Sequence, residues 1–166
     1  MAGQVKAVPE GMHTMSAHLV VKGADQAIEF YKKAFGAQQR GGIFKGPDGK
    51  VVHAELKIGD SVFMLADEFP TSSGCQSPQT LGGTSVVLNV YVDNVDKLFD
   101  QAVSAGAKVF MPLANQFWGD RYGQVSDPFG HRWALGQHVE EVAPAEMERR
   151  GKEFFAKMAQ GQRASG

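Results

Sequence analysis

The chain has 166 residues, of which 43% are hydrophobic and 21% charged, an ordinary balance for a globular domain. A formal net charge of −1 without a basic tract argues against nucleic acid or an anionic membrane as partner, and no apolar run reaches the roughly 18 residues of a membrane span. With one cysteine, Cys75, and no secretory signal at the N-terminus, we expect a reduced, cytoplasmic protein of one domain or two small modules.

The first module is predicted at residues 14–67. Residues 16–21 are short and β-branched, which predicts a strand. Residues 24–35 place Ile28, Tyr31 and Phe35 at helical spacing, and Gly36 follows them, so an amphipathic helix is predicted there. Strands follow at 37–44, 50–59 and 61–67, with GPDG at 46–49 as a tight turn. The order is β-α-β-β-β.

The second module is predicted at residues 84–138, after a loop at 68–83 that has no periodicity and suits a linker or a functional lid. It repeats the same order: a strand at 84–93, a helix at 94–107, then strands at 108–119, 121–127 and 131–137, with DPFG at 127–130 as the last turn. Residues 139–166 form a predicted helical tail that starts at Pro144. Its apolar stripe needs either the protein's own body or a partner subunit to cover it.

The repeated module, AIEFYKKAFGA in the first helix and DPFGHRW before the last strand resemble the vicinal oxygen chelate superfamily of glyoxalases, bleomycin-resistance proteins and dioxygenases. LADE, YVDNVDKLF and QFWGDRYGQVSDPFGHRW are similar to its PhnB-like branch. The resemblance spans residues 14 to 140. It implies an α+β fold in which the curved sheets of two tandem modules form a shared cleft, and it implies a homodimer.

Enzymes of this superfamily commonly hold a divalent metal on the first and last strands of each module. The resemblance places those ligand positions at Ser16, Met64 (or Phe63 if the turn is shifted by one), Val87 and Ala134. Zinc, nickel and iron prefer imidazole and carboxylate ligands, so we expect no metal at these four positions and no required cofactor.

Strand alternation predicts which side chains line the cleft. Within the inward set, the residues predicted to bind a ligand are His18, Asn89, Tyr91 and Arg132. His18 is the candidate catalytic residue, because imidazole titrates near neutral pH; the alternative is a half-buried histidine bonded to backbone. His53 and Glu55 share a strand face, which is either solvated or, together with His18, a displaced metal site.

Residues 117–133, FWGDRYGQVSDPFGHRW, are the most chemically dense stretch. Trp118 offers a flat ring and Arg121 a fork of donors, so both are predicted to bind a ligand, with Asp120 orienting the guanidinium. The alternative is a structural hairpin with an Asp–Arg bridge and with Trp118 packed on the other module.

The sequence is compatible with three functions, and it does not decide between an enzyme and a binding protein. The first is metal-independent binding of a small planar or anionic molecule. The second is a metal-dependent glyoxalase-type lyase, isomerase or dioxygenase with a displaced metal site. The third is a non-catalytic scaffold.

Overall fold

The computed structural model describes residues 5–69 and 74–163, with side chains to Gln160. The first half contains β1 (His18–Val21), α1 (Ala24–Phe35), β2 (Gln38–Lys45), β3 (Val51–Ile58), β4 (Ser61–Asp67) and the short α2 (Pro78–Leu81). The second half contains β5 (Val87–Tyr91), α3 (Val95–Ala105), β6 (Lys108–Asn115), β7 (Asp120–Ser126), β8 (Arg132–His138) and α4 (Pro144–Arg163). Within the described residues, no helix is both long and apolar enough to cross a membrane.

The strands form two four-stranded sheets of identical topology. Their orders are β1-β4-β3-β2 and β5-β8-β7-β6. In each sheet the first strand runs parallel to the last, and the remaining pairs are antiparallel. The prediction of an α+β fold with two βαβββ modules is therefore confirmed.

The last strand of each module caps the helix of that module. The carboxylate of Asp67, at the end of β4, accepts hydrogen bonds from the backbone N–H groups of Gly23 and Ala24, both at 2.9 Å. In the second module, Gln137 near the end of β8 accepts from the N–H of Val95 at 3.2 Å. These N–H groups have no partner inside their helices, so the same position of the repeat satisfies them twice.

The helix-covered faces of the two sheets meet in one shared core. Tyr31 and Phe35 of α1 contact Trp133 of β8, with ring centroids 5.4 and 4.6 Å apart. Phe63 of β4 contacts the same indole at 6.0 Å. Trp133 is 3% exposed, which confirms the prediction that it belongs to the core. The faces without helices, called the open sides below, point away from this core.

The loop between the modules is more ordered than its composition predicted. Ser77 caps α2 by accepting from the N–H of Thr80. Glu68, just after β4, accepts from the backbone N–H of Ser77 at 3.0 Å and from the hydroxyls of Ser77 and Thr80 at 2.8 and 2.7 Å. These donors, together with Lys22, lower the pKa of Glu68 to about 2. The expectation of a loop without regular structure is thus wrong for residues 78–81, and residues 70–73 lie outside the described part.

Candidate functional site

A cavity of about 500 Å³ lies between the two modules. Three segments build it: the chain before β1, the β3–β4 hairpin, and β5 from Leu88 onward, with Trp133 behind it. The lining side chains are mostly apolar, with a few polar groups at the rim. They are His13, Met15, Ser16, Ala17, Ile58, Gly59, Asp60, Ser61, Val62, Phe63, Leu88, Asn89, Val90, Tyr91, Val92 and Trp133.

The position of β5 explains this cavity. β5 is an edge strand, so one side of its backbone has no neighbouring strand in the sheet. Leu88 and Val90 pack against the shared core, whereas Asn89 and Tyr91 alternate to the open side and are exposed. Two predicted ligand-binding residues, Asn89 and Tyr91, therefore line the cavity. Its lining does not include His18, Trp118, Arg121 or Arg132.

The β6–β7 hairpin centres on a buried carboxylate. Asp120 is 5% exposed and accepts hydrogen bonds from the Tyr91 hydroxyl at 2.7 Å, the Trp118 indole at 3.0 Å and His138 Nδ1 at 2.8 Å. Burial works against its ionisation, but the bonds from His138, Tyr91 and Trp118 outweigh burial and lower the pKa of Asp120. The structure thus brings the predicted residues Tyr91 and Trp118 together through Asp120, which the sequence had predicted to orient Arg121.

The bond to Asp120 raises the pKa of His138, with a further contribution from Glu141. His138 is exposed on its other side, so its imidazole is a titratable group that connects the buried Asp120 to the surface.

Arg121 lies on the other side of β7. Its guanidinium forms two hydrogen bonds with the Asp96 carboxylate in the first turn of α3, at 2.7 and 2.5 Å. Consecutive residues of a strand point to opposite faces, so Asp120 cannot orient Arg121. The expected Asp120–Arg121 bridge is wrong, and the structure does not bring Arg121 to Trp118.

Arg132 differs from the other arginines whose side chains are described. Arg40, Arg121, Arg149 and Arg150 all pair with carboxylates, whereas Arg132 has no such partner. Its guanidinium carbon lies 3.2 Å from the ring centroid of Phe110, and its buried Nε makes no hydrogen bond within the described residues. The aromatic face is the chief partner of this cation on the open side of the second sheet.

His18, His53 and Glu55 do share the open side of the first sheet. The rings of His18 and His53 are 6.4 Å apart, and His53 Nε2 lies 3.5 Å from Glu55. Partial burial, and then the neighbouring His53, lower the pKa of His18. Within the described residues, however, no three His, Cys, Asp or Glu side chains are arranged to hold a metal ion. The displaced metal site therefore lacks a convergent donor set.

The strand register shows which residues neighbour the metal positions that the resemblance implied. Met64 pairs across the parallel ladder with His18 rather than Ser16, and Ala134 pairs with Asn89 rather than Val87. The two ladder pairs at these positions are therefore His18 with Met64 and Asn89 with Ala134. One imidazole among them does not supply the three donors that a transition metal usually takes.

The sequence interpretation missed the residues at the mouth of the cavity. His13 and Met15 fall before the first predicted strand, Gly59 and Asp60 form the turn of the β3–β4 hairpin, and Ser61 begins β4. Turn residues carry no periodic signal, so only the packing of one module on the other identifies them.

The chain belongs to the glyoxalase/bleomycin resistance protein/dioxygenase superfamily, whose family model matches residues 12–135. An uncharacterised protein of Mycobacterium tuberculosis strain H37Rv is 51% identical over 130 residues, which cover 77% of this chain and 76% of that protein. An uncharacterised protein of Mycobacterium bovis is equally similar over 85% of its length. Protein YjdN of Escherichia coli is 30% identical over 89 residues, 54% of this chain and 57% of that protein.

Solved structures share the fold. TioX from Micromonospora sp. ML1 has a TM-score of 0.60 and 28% identity, covering 76% of this chain and 99% of TioX. The PhnB protein from Bacillus cereus has a TM-score of 0.58 and 20% identity, with 75% and 99% of the two chains covered. The predicted family is therefore confirmed.

Proposed function

We propose that the protein binds a small planar organic molecule in the cavity between its modules, without a metal ion. The observation that carries this proposal is the cavity itself, which is about 500 Å³ in volume and mainly apolar with a few polar groups at the rim. Small-molecule sites commonly have this size and make-up.

The lining favours a planar ligand with little charge. Phe63 and Trp133 lie in one wall at the edge of the core, 7% and 3% exposed, and flat apolar compounds pack well against aromatic rings. Asn89 and Ser16 offer hydrogen-bonding groups at the edge. The cavity-lining residues include no arginine or lysine, and apart from Tyr91 the ionisable side chains among them are His13 and Asp60. Of the two ligand classes expected from the sequence, planar and anionic, the planar one therefore fits better.

The test is to fill the cavity. Ser16 is half-buried in the lining, so Ser16→Trp would occupy the space next to β5. Nile red, a neutral planar dye that fluoresces when buried, serves as the first probe, followed by a thermal-shift screen of aromatic compounds. We expect Ser16→Trp to abolish dye binding while the melting temperature of the unliganded protein stays close to that of wild type.

Two controls make this test specific. Ser104→Trp adds the same ring on the exposed face of α3 and should leave binding unchanged. Phe155→Asp removes an apolar group from a second groove on α4 and should also leave it unchanged. Equal dye binding by Ser16→Trp and wild type would refute the cavity as the site.

Metal-independence has its own test. Native mass spectrometry of protein purified without a histidine tag should show ligand binding with no stoichiometric zinc, nickel or iron. A tightly bound metal lost on His18→Ala would instead support the metal-dependent lyase, isomerase or dioxygenase. If no compound binds at all, the scaffold function remains.

We also propose that the protein acts as a homodimer, as the family resemblance implies. The open sides of both sheets expose apolar side chains, including Phe44 at 64%, Tyr91 at 60% and Phe110 at 56%. A second copy covering these faces would remove that surface from water.

A further inference from the structure

The C-terminal helix α4 is held to the body of the protein at one end of the second module. Gly151 packs against the ring of Phe117, so closely that an added Cβ atom would lie 3.3 Å from it. Phe154 and Phe155 contact the same ring at centroid distances of 5.4 and 6.1 Å. Arg150 pairs with Glu140 at 2.7 Å, just before the helix. Twenty residues of helix, about 30 Å long, are thus anchored through Phe117 and Glu140.

This anchoring leaves an apolar groove uncovered. Phe155 remains 62% exposed, Met158 50% and Met147 37%. The groove measures about 700 Å³, and its lining consists of Phe117, Pro144, Met147, Glu148, Gly151, Lys152 and Phe155. Large apolar side chains concentrated on one stripe of a helix indicate a surface that is covered by another element.

We infer that α4 of a second copy of this chain covers the groove, in antiparallel orientation. The charges on the groove favour this occupant. Glu148 and Lys152 lie one turn apart on the same flank and are both well exposed. In an antiparallel pair, Glu148 of each copy faces Lys152 of the other, so the surface is complementary to itself. A parallel pair would place like charges opposite each other.

This interface is distinct from the proposed homodimer and does not rest on the proposed function. Apart from Phe117, its lining lies beyond residues 12–135, the part of the chain that the family model matches, and it uses neither open side. If both interfaces form, the protein is a dimer of dimers in which α4 joins the two halves.

Opposite charge reversals test the inference in the full-length chain. Glu148→Lys places two lysines on the flank of the groove, and Lys152→Glu places two glutamates there. Each variant alone should repel its own copies, so sedimentation equilibrium should give half the mass of wild type. An equimolar mixture of the two variants should regain the wild-type mass, because each then meets its complement.

The design separates this interface from simple damage to the helix. Both variants break the same Glu148–Lys152 ion pair within α4, so only pairing between copies explains a recovery on mixing. Lys97→Glu, on the surface of α3, is the control and should keep the wild-type mass. Unchanged mass in both single variants, or no recovery on mixing, would overturn the inference, since the groove would then be open or covered by something other than α4.

The number of chains in the wild-type assembly also distinguishes the α4 interface from the proposed homodimer through the open sides. A halving from four chains to two would mean that both interfaces exist. A halving from two chains to one would support the α4 pair while refuting the dimer through the open sides.

Discussion

Two buried carboxylates, seven residues apart, each accept hydrogen bonds from one tyrosine hydroxyl and one tryptophan indole, and yet they have different roles. Asp127 accepts from the Tyr31 hydroxyl and the Trp133 indole, both at 2.8 Å, and Asp120 accepts from the Tyr91 hydroxyl and the Trp118 indole at 2.7 and 3.0 Å. The second oxygen distinguishes them. In Asp127 it accepts the backbone N–H groups of residues 129 and 131, whereas in Asp120 it meets the imidazole of His138.

The difference shows that the role of a buried carboxylate depends on the partner of its second oxygen, and not only on the donors that the two sites share. Asp127 joins the two modules, because Tyr31 belongs to the first and Trp133 to the second. Burial, and then Asp127, raise the pKa of Tyr31 well above its usual value of 10, so the Tyr31 hydroxyl keeps its proton near neutral pH. Asp120 instead shares its hydrogen bonds with a histidine that reaches solvent.

The largest expected effect comes from Asp127→Asn. The amide would turn its NH₂ group toward two N–H or O–H donors whichever way it is oriented, so buried donors would lose their acceptor. We expect the free energy of unfolding to fall by about 4 kcal/mol. Asp120→Asn can keep its oxygen toward Tyr91 and Trp118 while its amide donates to neutral His138, so a loss of about 1 kcal/mol is expected. Urea denaturation of both variants compares them, and equal losses would contradict the distinction.

Removal of the two indoles, Trp133 and Trp118, should likewise reduce the unfolding free energy more at the Asp127 site than at the Asp120 site. Trp133→Phe removes an indole N–H from Asp127 and leaves space in a packed core, which should cost about 3 kcal/mol. Trp118→Phe loses the equivalent bond at a half-buried hairpin and should cost about 1 kcal/mol. Denaturation midpoints at constant m-value are the measurement. A larger loss of unfolding free energy in Trp118→Phe than in Trp133→Phe would mean that the hairpin contributes more to stability than the core between the modules.

The smallest effect concerns pH and belongs to the Asp120 cluster alone. Because the folded pKa of His138 is raised, its stabilising contribution is complete below about pH 6.5 and is lost as pH rises through the folded value. Unfolding free energy should therefore decline as pH rises above 6.5 in wild type, and this decline should vanish in His138→Gln.

His18 provides a control of opposite sign. Its folded pKa is lowered, so it disfavours folding once it becomes protonated, and it should reduce stability as pH falls below about 6.5. His18→Gln should remove that acid-side loss and leave the decline above pH 6.5 intact. NMR titration of the two imidazoles checks both directions, and an unshifted His138 would contradict the role given to Asp120.

The sequence predicted the architecture because the repeat is local. Strand and helix periodicities recur in the same order. Ile28 is apolar on the buried face of α1, and Trp133 is apolar on the face of β8 that meets the helices. The placement of Asn89 and Tyr91 on the open side followed from alternation in the same way.

The site could not be predicted to the same depth, because its contacts join distant parts of the chain. DPFG was interpreted as turn chemistry, but Asp127 also bonds Tyr31, 96 residues earlier. Arg121 binds Asp96, 25 residues earlier, rather than its neighbour Asp120. Such partners depend on how one module packs on the other, and local spacing contains no information about that packing.

The contact between Tyr31 and Asp127 has a consequence for synthesis on the ribosome. When the first module has emerged, α1 still lacks both the carboxylate that binds its tyrosine and the indole that covers Tyr31 and Phe35. Contacts of such long sequence separation form late, and the surface waiting for them is apolar. The nascent first module therefore exposes its half of the shared core until translation has passed Trp133, and this interval is when a chaperone would bind it.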